Sequence, residues 1–335
     1  MKITAYAIKN KGGKAQPFSY ERNLVANEVL VRITHCGMAK GDIQGIEDEW
    51  GDTTFPLVPG HEIVGLIEET GRQVTTLEKG DRVGIGYQQE ACFTCTYCRE
   101  GNEQFCPDQK VIAVDCYGGL AEYIIVDSRF AFKLPSILDP AKSVPLLSSG
   151  LTVYTGIIRA NLKKNSIVAV SGVGGLGELA TQFLDKMGHK VFAFSHSPQK
   201  KELIHQLGAR YIDSSTLDSQ AELHRKFDFI LSTVNANFQL DTYLKMLKPQ
   251  GKLCLVAQTP DKLSMSAGLL YDYAQRTIYG NYTGSRQAMM DMLAFAAEHA
   301  IESRVEVIPF SQMNEAIERV KGGKVAMRVV LEQEK

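Results

Sequence analysis

The stretch Ile167-Val168-Ala169-Val170-Ser171-Gly172-Val173-Gly174-Gly175-Leu176-Gly177 decides the architecture of the chain. It opens with alternating β-branched and small residues, as in a buried parallel strand. Gly172, Gly174 and Gly177 then follow in G-x-G-x-x-G order, and Glu178-Leu179-Ala180-Thr181-Gln182-Phe183-Leu184 reads as a helix. Strand, glycine turn and helix in this order are the context a dinucleotide fingerprint requires. Gly172 permits a tight turn, Gly174 lets a pyrophosphate approach the backbone, and Gly177 lets the helix pack on the strand. The segment Gly174, Gly175, Leu176 and Gly177 would then turn the free N–H groups and positive end of the helix toward the phosphates.

With 335 residues the chain is long enough for two domains. Its 44% hydrophobic and 22% charged residues are those of an ordinary globular protein with sizeable cores. A formal net charge of −1 gives no electrostatic case for nucleic acid or an anionic membrane as partner. No apolar run reaches the ~18 residues expected of a transmembrane helix. Met1-Lys2-Ile3-Thr4-Ala5-Tyr6 lacks the apolar core of a signal peptide and reads as a first strand, so a cytoplasmic protein is expected. Seven cysteines in that compartment point to metal or thiol chemistry before disulfides.

Residues 1–148 look β-rich, with strands at Val29–Ile33, Ile63–Ile67 and Asp81–Ile85 separated by Gly and Pro, which suggests a partly closed barrel. Residues 149–283 alternate strand and helix, which predicts a parallel sheet covered on both faces. Lys190–Phe194, Phe229–Val234 and Lys252–Val256 are its further strands. Residues 284–335 read as a helix at Ala288–His299, a strand at Val305–Ile308, a helix at Met313–Val320 and a strand at Val325–Leu331. That piece is expected to rejoin the first domain, making the nucleotide domain an insertion.

Cys92, Cys95, Cys98 and Cys106 lie in a C-x-x-C-x-x-C spacing followed by a fourth cysteine. Short C-x-x-C turns bring sulfurs to one ion, and four thiolates complete a tetrahedron with no open position, which predicts a structural zinc. The polar loop Arg99–Phe105 has little core of its own, so a metal would supply the missing stabilisation. Free thiols or a redox pair are the alternative.

Together these blocks resemble the zinc-containing medium-chain dehydrogenases, most closely the cinnamyl alcohol dehydrogenase branch. The resemblance is carried by Pro59-Gly60-His61-Glu62-Ile63-Val64-Gly65, the four-cysteine loop ending Glu103-Gln104-Phe105-Cys106-Pro107, and Tyr117-Gly118-Gly119. Further carriers are Gly150-Leu151-Thr152-Val153-Tyr154, the glycine turn, Ser195–Lys201 and Leu247–Leu253. It implies a GroES-like catalytic domain with an inserted Rossmann domain. It also implies hydride transfer between NADP(H) and a small alcohol or carbonyl compound, and a homodimer joined through its Rossmann domains.

An acidic residue after the second Rossmann strand would bond a ribose 2′-OH and repel a 2′-phosphate. Here the stretch is Ser195-His196-Ser197-Pro198-Gln199-Lys200-Lys201, with no carboxylate before Glu202, which favours NADP. By the resemblance Ser195 and Lys200, with Ser197 and Lys201 beside them, hold the 2′-phosphate. Thr152 corresponds to a threonine near the nicotinamide, and Thr233, Val234, Val256 and Ala257 stand at strand ends where that ring lies.

The resemblance breaks at the catalytic zinc, which the family holds by two cysteines and the histidine of Gly-His-Glu. Cys36-Gly37-Met38-Ala39-Lys40-Gly41-Asp42 puts Ala39 at the first cysteine position and Gly41 at a relay hydroxyl. Leu147-Ser148-Ser149-Gly150 puts Ser148 at the second. His61 and Glu62 remain, with Asp42 as the partner of the histidine. With both thiolates gone, the expectation is an absent or weakly bound catalytic zinc. Cys36 and Cys116 could reach the site only if the backbone shifted, and read as core cysteines. His61, Lys40, Ser148 and Thr152 are the candidate donors to a developing oxyanion. Lys40 reads equally as a surface residue, and Trp50, Met38, Phe93 and Tyr117 either line the pocket or pack. Three functions stay open: a zinc-independent reductase, a zinc enzyme with substitute ligands, and a silent NADPH-binding protein.

Overall fold

The computed structural model describes residues 1–323 and 328–334. The chain divides into two compact units, Met1–Ser148 with Gly284–Lys335, and Ser149–Thr283. The strands of the first segment are β1 (Lys2–Ile8), β2 (Ala15–Glu21), β3 (Glu28–Met38), β4 (Glu62–Thr70), β5 (Arg82–Ile85), β6 (Gln88–Glu90), β7 (Lys110–Val111), β8 (Tyr123–Asp127) and β9 (Phe132–Lys133). The inserted unit holds β10 (Ile167–Ser171), β11 (Lys190–Ser195), β12 (Arg210–Asp213), β13 (Phe227–Ser232), β14 (Leu247–Leu255) and β15 (Thr277–Gly280). The C-terminal segment adds β16 (Val305–Pro309) and β17 (Arg328–Glu332).

In the first unit one sheet runs β16-β17-β3-β4-β5-β9, with β8 also paired to β3. β3 is central because Val29, Leu30, Val31 and Ile33 are buried, a pattern that needs cover on both faces. The sheet therefore takes two strands from the far end of the sequence. β16 reaches β17 in parallel through the helix Met313–Lys321, whose buried Met313, Ala316 and Ile317 lie at helical spacing. β17 is antiparallel to β3, with Val329 opposite Met38, and β4 places Glu62 opposite Gly37. These three strand ends gather the side chains described below. Residues 325–327 of the expected last strand lie outside the described residues.

The inserted unit is a six-stranded sheet of order β12-β11-β10-β13-β14-β15, parallel throughout. This is the doubly wound order of a dinucleotide-binding fold, which switches direction at β10. Phe227 meets Phe192 and Phe194 edge-on, and Phe194 meets Tyr243 likewise. Each fully buried ring contributes about 1.5–3 kcal/mol by area. β13 starts two residues earlier than expected, at Phe227, and ends at Ser232. Thr233, just past the strand, still donates its N–H to Ser171 O, and its hydroxyl donates to Gly172 O, at 2.9 Å each. No helix among the described residues is long and apolar enough to cross a membrane.

Candidate active site

The helix Lys40–Ile46 turns Asp42 back under its own start. Asp42 Oδ2 accepts the Ala39 N–H at 2.8 Å, and Oδ1 accepts the Gly60 N–H at 2.8 Å and lies 3.0 Å from His61 Nδ1. Asp42 is fully buried, whereas the His61 side chain keeps 17% of its surface exposed. Burial disfavours a charged carboxylate, yet His61 and the two N–H donors outweigh it and hold the Asp42 pKa below its ordinary value. Burial also opposes charge on the ring, and Asp42 outweighs that, so the His61 pKa stands above its ordinary value. With Nδ1 committed to Asp42, Nε2 is the ring atom left for a reacting group.

Glu62, fully buried, faces Arg328 NH2 at 3.5 Å. Arg328 is the site residue that sequence reasoning misses. No motif marks it, and only the antiparallel pairing of β17 with β3 brings it there. Ala39 caps the helix and is buried, Ser148 is half-buried, and Lys40 is exposed in the first turn. Gly41 faces the ring, since a Cβ there would lie 3.6 Å from His61 Cε1. Cys36 Sγ is packed where a Cβ on Gly60 or Gly119 would meet it at 2.4 or 2.8 Å, and burial pushes its thiol well up. Cys116 bonds Val111 O at 3.4 Å, and burial pushes its thiol up to about 12. Both behave as core residues. Met38 is in the core, Tyr117 meets Phe18 edge-on and Tyr20 at a tilt, Phe93 lies under Arg129, and Trp50 is exposed.

A catalytic zinc takes three good protein donors and an open position. His61 Nε2 is one such donor, but Glu62 is engaged by Arg328 and Ser148 is a neutral hydroxyl. This donor set does not fit a catalytic zinc. Among the described residues, one group of three or more His, Cys, Asp or Glu side chains has its ligand atoms within 4.8 Å of one another: Cys92, Cys95, Cys98 and Cys106.

That group does fit zinc. Cys92 Sγ and Cys98 Sγ are 4.0 Å apart. A tetrahedron with Zn–S bonds of about 2.3 Å has edges of about 3.8 Å. The N–H groups of Thr94 and Cys95 point at Cys92 Sγ at 3.5 and 3.3 Å, and that of Cys92 points at Cys106 Sγ at 3.4 Å. The Thr94 and Cys95 donors pull the Cys92 thiol down to about 6, whereas burial pushes Cys98 up to about 12. The loop is anchored by buried Glu103, whose carboxylate reaches the Arg286 guanidinium at 3.3 Å. Arg129 stacks on Phe93, 3.4 Å from the ring centre, and Arg286 flanks it at 5.3 Å.

In the inserted unit Gly172 has a φ of +86°, as the turn requires, and a Cβ on Gly177 would lie 1.8 Å from Gly172 O. Nothing lies within 4 Å of the Cβ position of Gly174, so the turn is open where a pyrophosphate would approach. Gly175 and Leu176 start the helix Gly175–Lys186. Ser195 ends β11 and its hydroxyl accepts the Ser197 N–H at 3.2 Å. Lys200 Nζ donates to Val173 O at 2.7 Å, so this cation is held against the glycine turn instead of being a solvated helix start. Thr233 and Val256 stand just past the ends of β13 and β14. The Thr152 hydroxyl donates to the Tyr282 carbonyl, which commits its proton.

The chain matches the family description "Alcohol dehydrogenase GroES-like domain" over residues 25–136 and "Zinc-binding dehydrogenase" over residues 175–298. It is 38% identical to the aldehyde reductase AdhA of Synechocystis sp., over 99% of each chain. It superposes on a cinnamyl alcohol dehydrogenase of Sorghum bicolor, SbCAD4, with a TM-score of 0.92 and 30% identity, over 99% of this chain and 98% of that one. The Helicobacter pylori cinnamyl alcohol dehydrogenase complexed with NADP(H) gives a TM-score of 0.91 and 28% identity, over 99% and 98%. The chain therefore belongs to the zinc-containing medium-chain alcohol dehydrogenase family, in its cinnamyl-alcohol-dehydrogenase-like branch.

Proposed function

We propose that this chain is an NADP(H)-dependent oxidoreductase that reduces an aldehyde, a ketone or an activated enone without a catalytic zinc. One observation carries the reading: alanine and serine occupy positions 39 and 148, where the resemblance calls for thiolates, while Glu62 is engaged by Arg328. The aldehyde reductase of Synechocystis and the NADP(H) complex of the Helicobacter pylori relative support the substrate class and the cofactor. Ser195, Ser197 and Lys200 hold the 2′-phosphate, and the turn from Gly172 to Gly177 holds the pyrophosphate. Thr233 and Val256 border the nicotinamide. The four cysteines hold a structural zinc, which staples a loop that has little core.

When bound, NADPH supplies the hydride. Asp42 fixes the His61 ring and favours its charged form, so Nε2 donates a hydrogen bond to the substrate oxygen as charge grows there. An enone asks less of this donor than a simple ketone, because the charge is shared as an enolate. Lys40 and Ser148 are the further donors, whereas Thr152 is already committed to Tyr282. Two copies pair along the free edge of β15, beside which Tyr271, Tyr273 and Tyr282 are exposed. Light scattering after gel filtration tests that dimer. The catalytic reading is tested by NADPH consumption against aldehydes, enones and quinones. Inactivity across the panel with tight NADPH binding would refute it in favour of a silent binding protein.

A further inference from the structure

We infer that Cys95 is a modification site: it is the sulfur of the four-cysteine cage at which a hydroperoxide reacts first, and its disulfide with Cys98 opens the cage. The four sulfurs are close in space but not equivalent. Cys92 Sγ receives the N–H groups of Thr94 and Cys95. Cys106 Sγ receives that of Cys92. Among the described residues no backbone N–H is directed at Cys95 Sγ.

An N–H bonded to a thiolate draws charge from the sulfur and lowers its reactivity toward electrophiles. Access divides the four again. Cys98 and Cys106 are buried, whereas Cys92 and Cys95 are half-buried. Cys95 is flanked by the exposed Thr94, Thr96 and Tyr97. Cys92 has similar access but two donors. Cys95 alone combines access with a sulfur to which no described backbone N–H is bonded. Cys98, three residues on in the same turn, has its sulfur within 4.8 Å of that of Cys95 and is placed to resolve the product.

The chemistry balances with the hydroperoxide as oxidant. The Cys95 thiolate attacks one peroxide oxygen, the O–O bond breaks, and the leaving oxyanion takes a proton. This leaves a sulfenic acid on Cys95. The Cys98 thiolate then attacks that sulfur. The S–S bond forms, the S–O bond breaks, and hydroxide leaves as water after protonation. Each sulfur loses one electron and the peroxide gains two. Cys92 and Cys106 are the ligands that remain, too few to keep the ion. The loop then loses its staple.

The test uses the zinc-loaded full chain and substoichiometric hydrogen peroxide. Zinc release is followed with a chromogenic chelator, and each cysteine by differential alkylation and peptide mass spectrometry. The buried Cys36 and Cys254 serve as internal controls. Cys95 is expected to oxidise at least about fivefold faster than any other cysteine, as nucleophilicity falls with thiolate basicity. Zinc should leave in step with a Cys95–Cys98 disulfide, and a dithiol with added zinc should restore the loaded protein. Maleimide labelling of the untreated protein should show the same order without any oxidant. Cys95→Ser removes a ligand together with the reactive sulfur, so the wild-type map carries the test. Reaction first at Cys92, Cys98 or Cys106 overturns the inference. So does a disulfide lacking Cys95, zinc retained after Cys95 oxidises, or a cage that purifies without zinc.

Discussion

Replacing Gly177 by alanine puts a methyl carbon 1.8 Å from the Gly172 carbonyl oxygen and 2.9 Å from its carbon. Both are backbone atoms of the turn that feeds the helix, so no side chain can swing aside. Overpacking costs ~1–3 kcal/mol where side chains can yield, and a backbone obstacle puts this site at about 3 kcal/mol or above. At ~2–4 °C per kcal/mol, the inserted unit should melt about 6–12 °C lower. Gly174→Ala is the counterpart. Its φ is −105° and its new Cβ meets nothing within 4 Å, so the fold should be unchanged to within ~0.5 kcal/mol. That open side is where a pyrophosphate must approach the backbone, so NADPH binding should weaken by about tenfold or more. Circular dichroism melts and NADPH fluorescence titrations on both variants separate the two effects. The reasoning fails if Gly177→Ala melts with the parent, or if Gly174→Ala binds NADPH as the parent does.

Asp42→Asn should drop the His61 pKa below its ordinary value, because burial is then the main remaining influence; imidazole NMR resonances followed against pH report this. The sign for stability follows. A raised folded pKa means the His61 contribution is complete below the unfolded value of 6.5 and is lost as pH rises through the folded one. The variant should lose about 3 kcal/mol and reverse that dependence, growing more stable as pH rises toward 6.5, and an unchanged ring titration would contradict the pairing. Lys200→Ala should weaken NADPH about tenfold more than NADH, read from the two dissociation constants. Equal losses for both would mean that Lys200 only braces the glycine turn through Val173.

What could be read from the sequence was what the chain builds locally. The strand, turn and helix from Ile167 to Lys186 are contiguous, and each glycine answers to one steric demand. The four cysteines lie within a single loop, so their spacing carried the cage. The expected loss of two thiolates is likewise a local reading, because Cys36-Gly37 and Asp42 bracket Ala39, and Gly150-Leu151-Thr152 follows Ser148 closely. Arg328 was not legible. It reaches Glu62 through pairing of strands from opposite ends of the chain, which leaves no short-range pattern. Nor does sequence tell a committed hydroxyl from a free one: Thr152 looks like a donor until Tyr282 O is found beside it. Lys200 reads as a residue that holds the 2′-phosphate, and only the fold of the turn brings Val173 O within its reach.

The most direct measurement is the zinc content of the purified chain after exhaustive dialysis, taken on the same sample that is assayed for NADPH-dependent carbonyl reduction. One zinc per chain with activity retained is the expected result, since thiolates survive in the cage and not beside His61. Two zincs per chain, with the second lost as activity is lost, would contradict it.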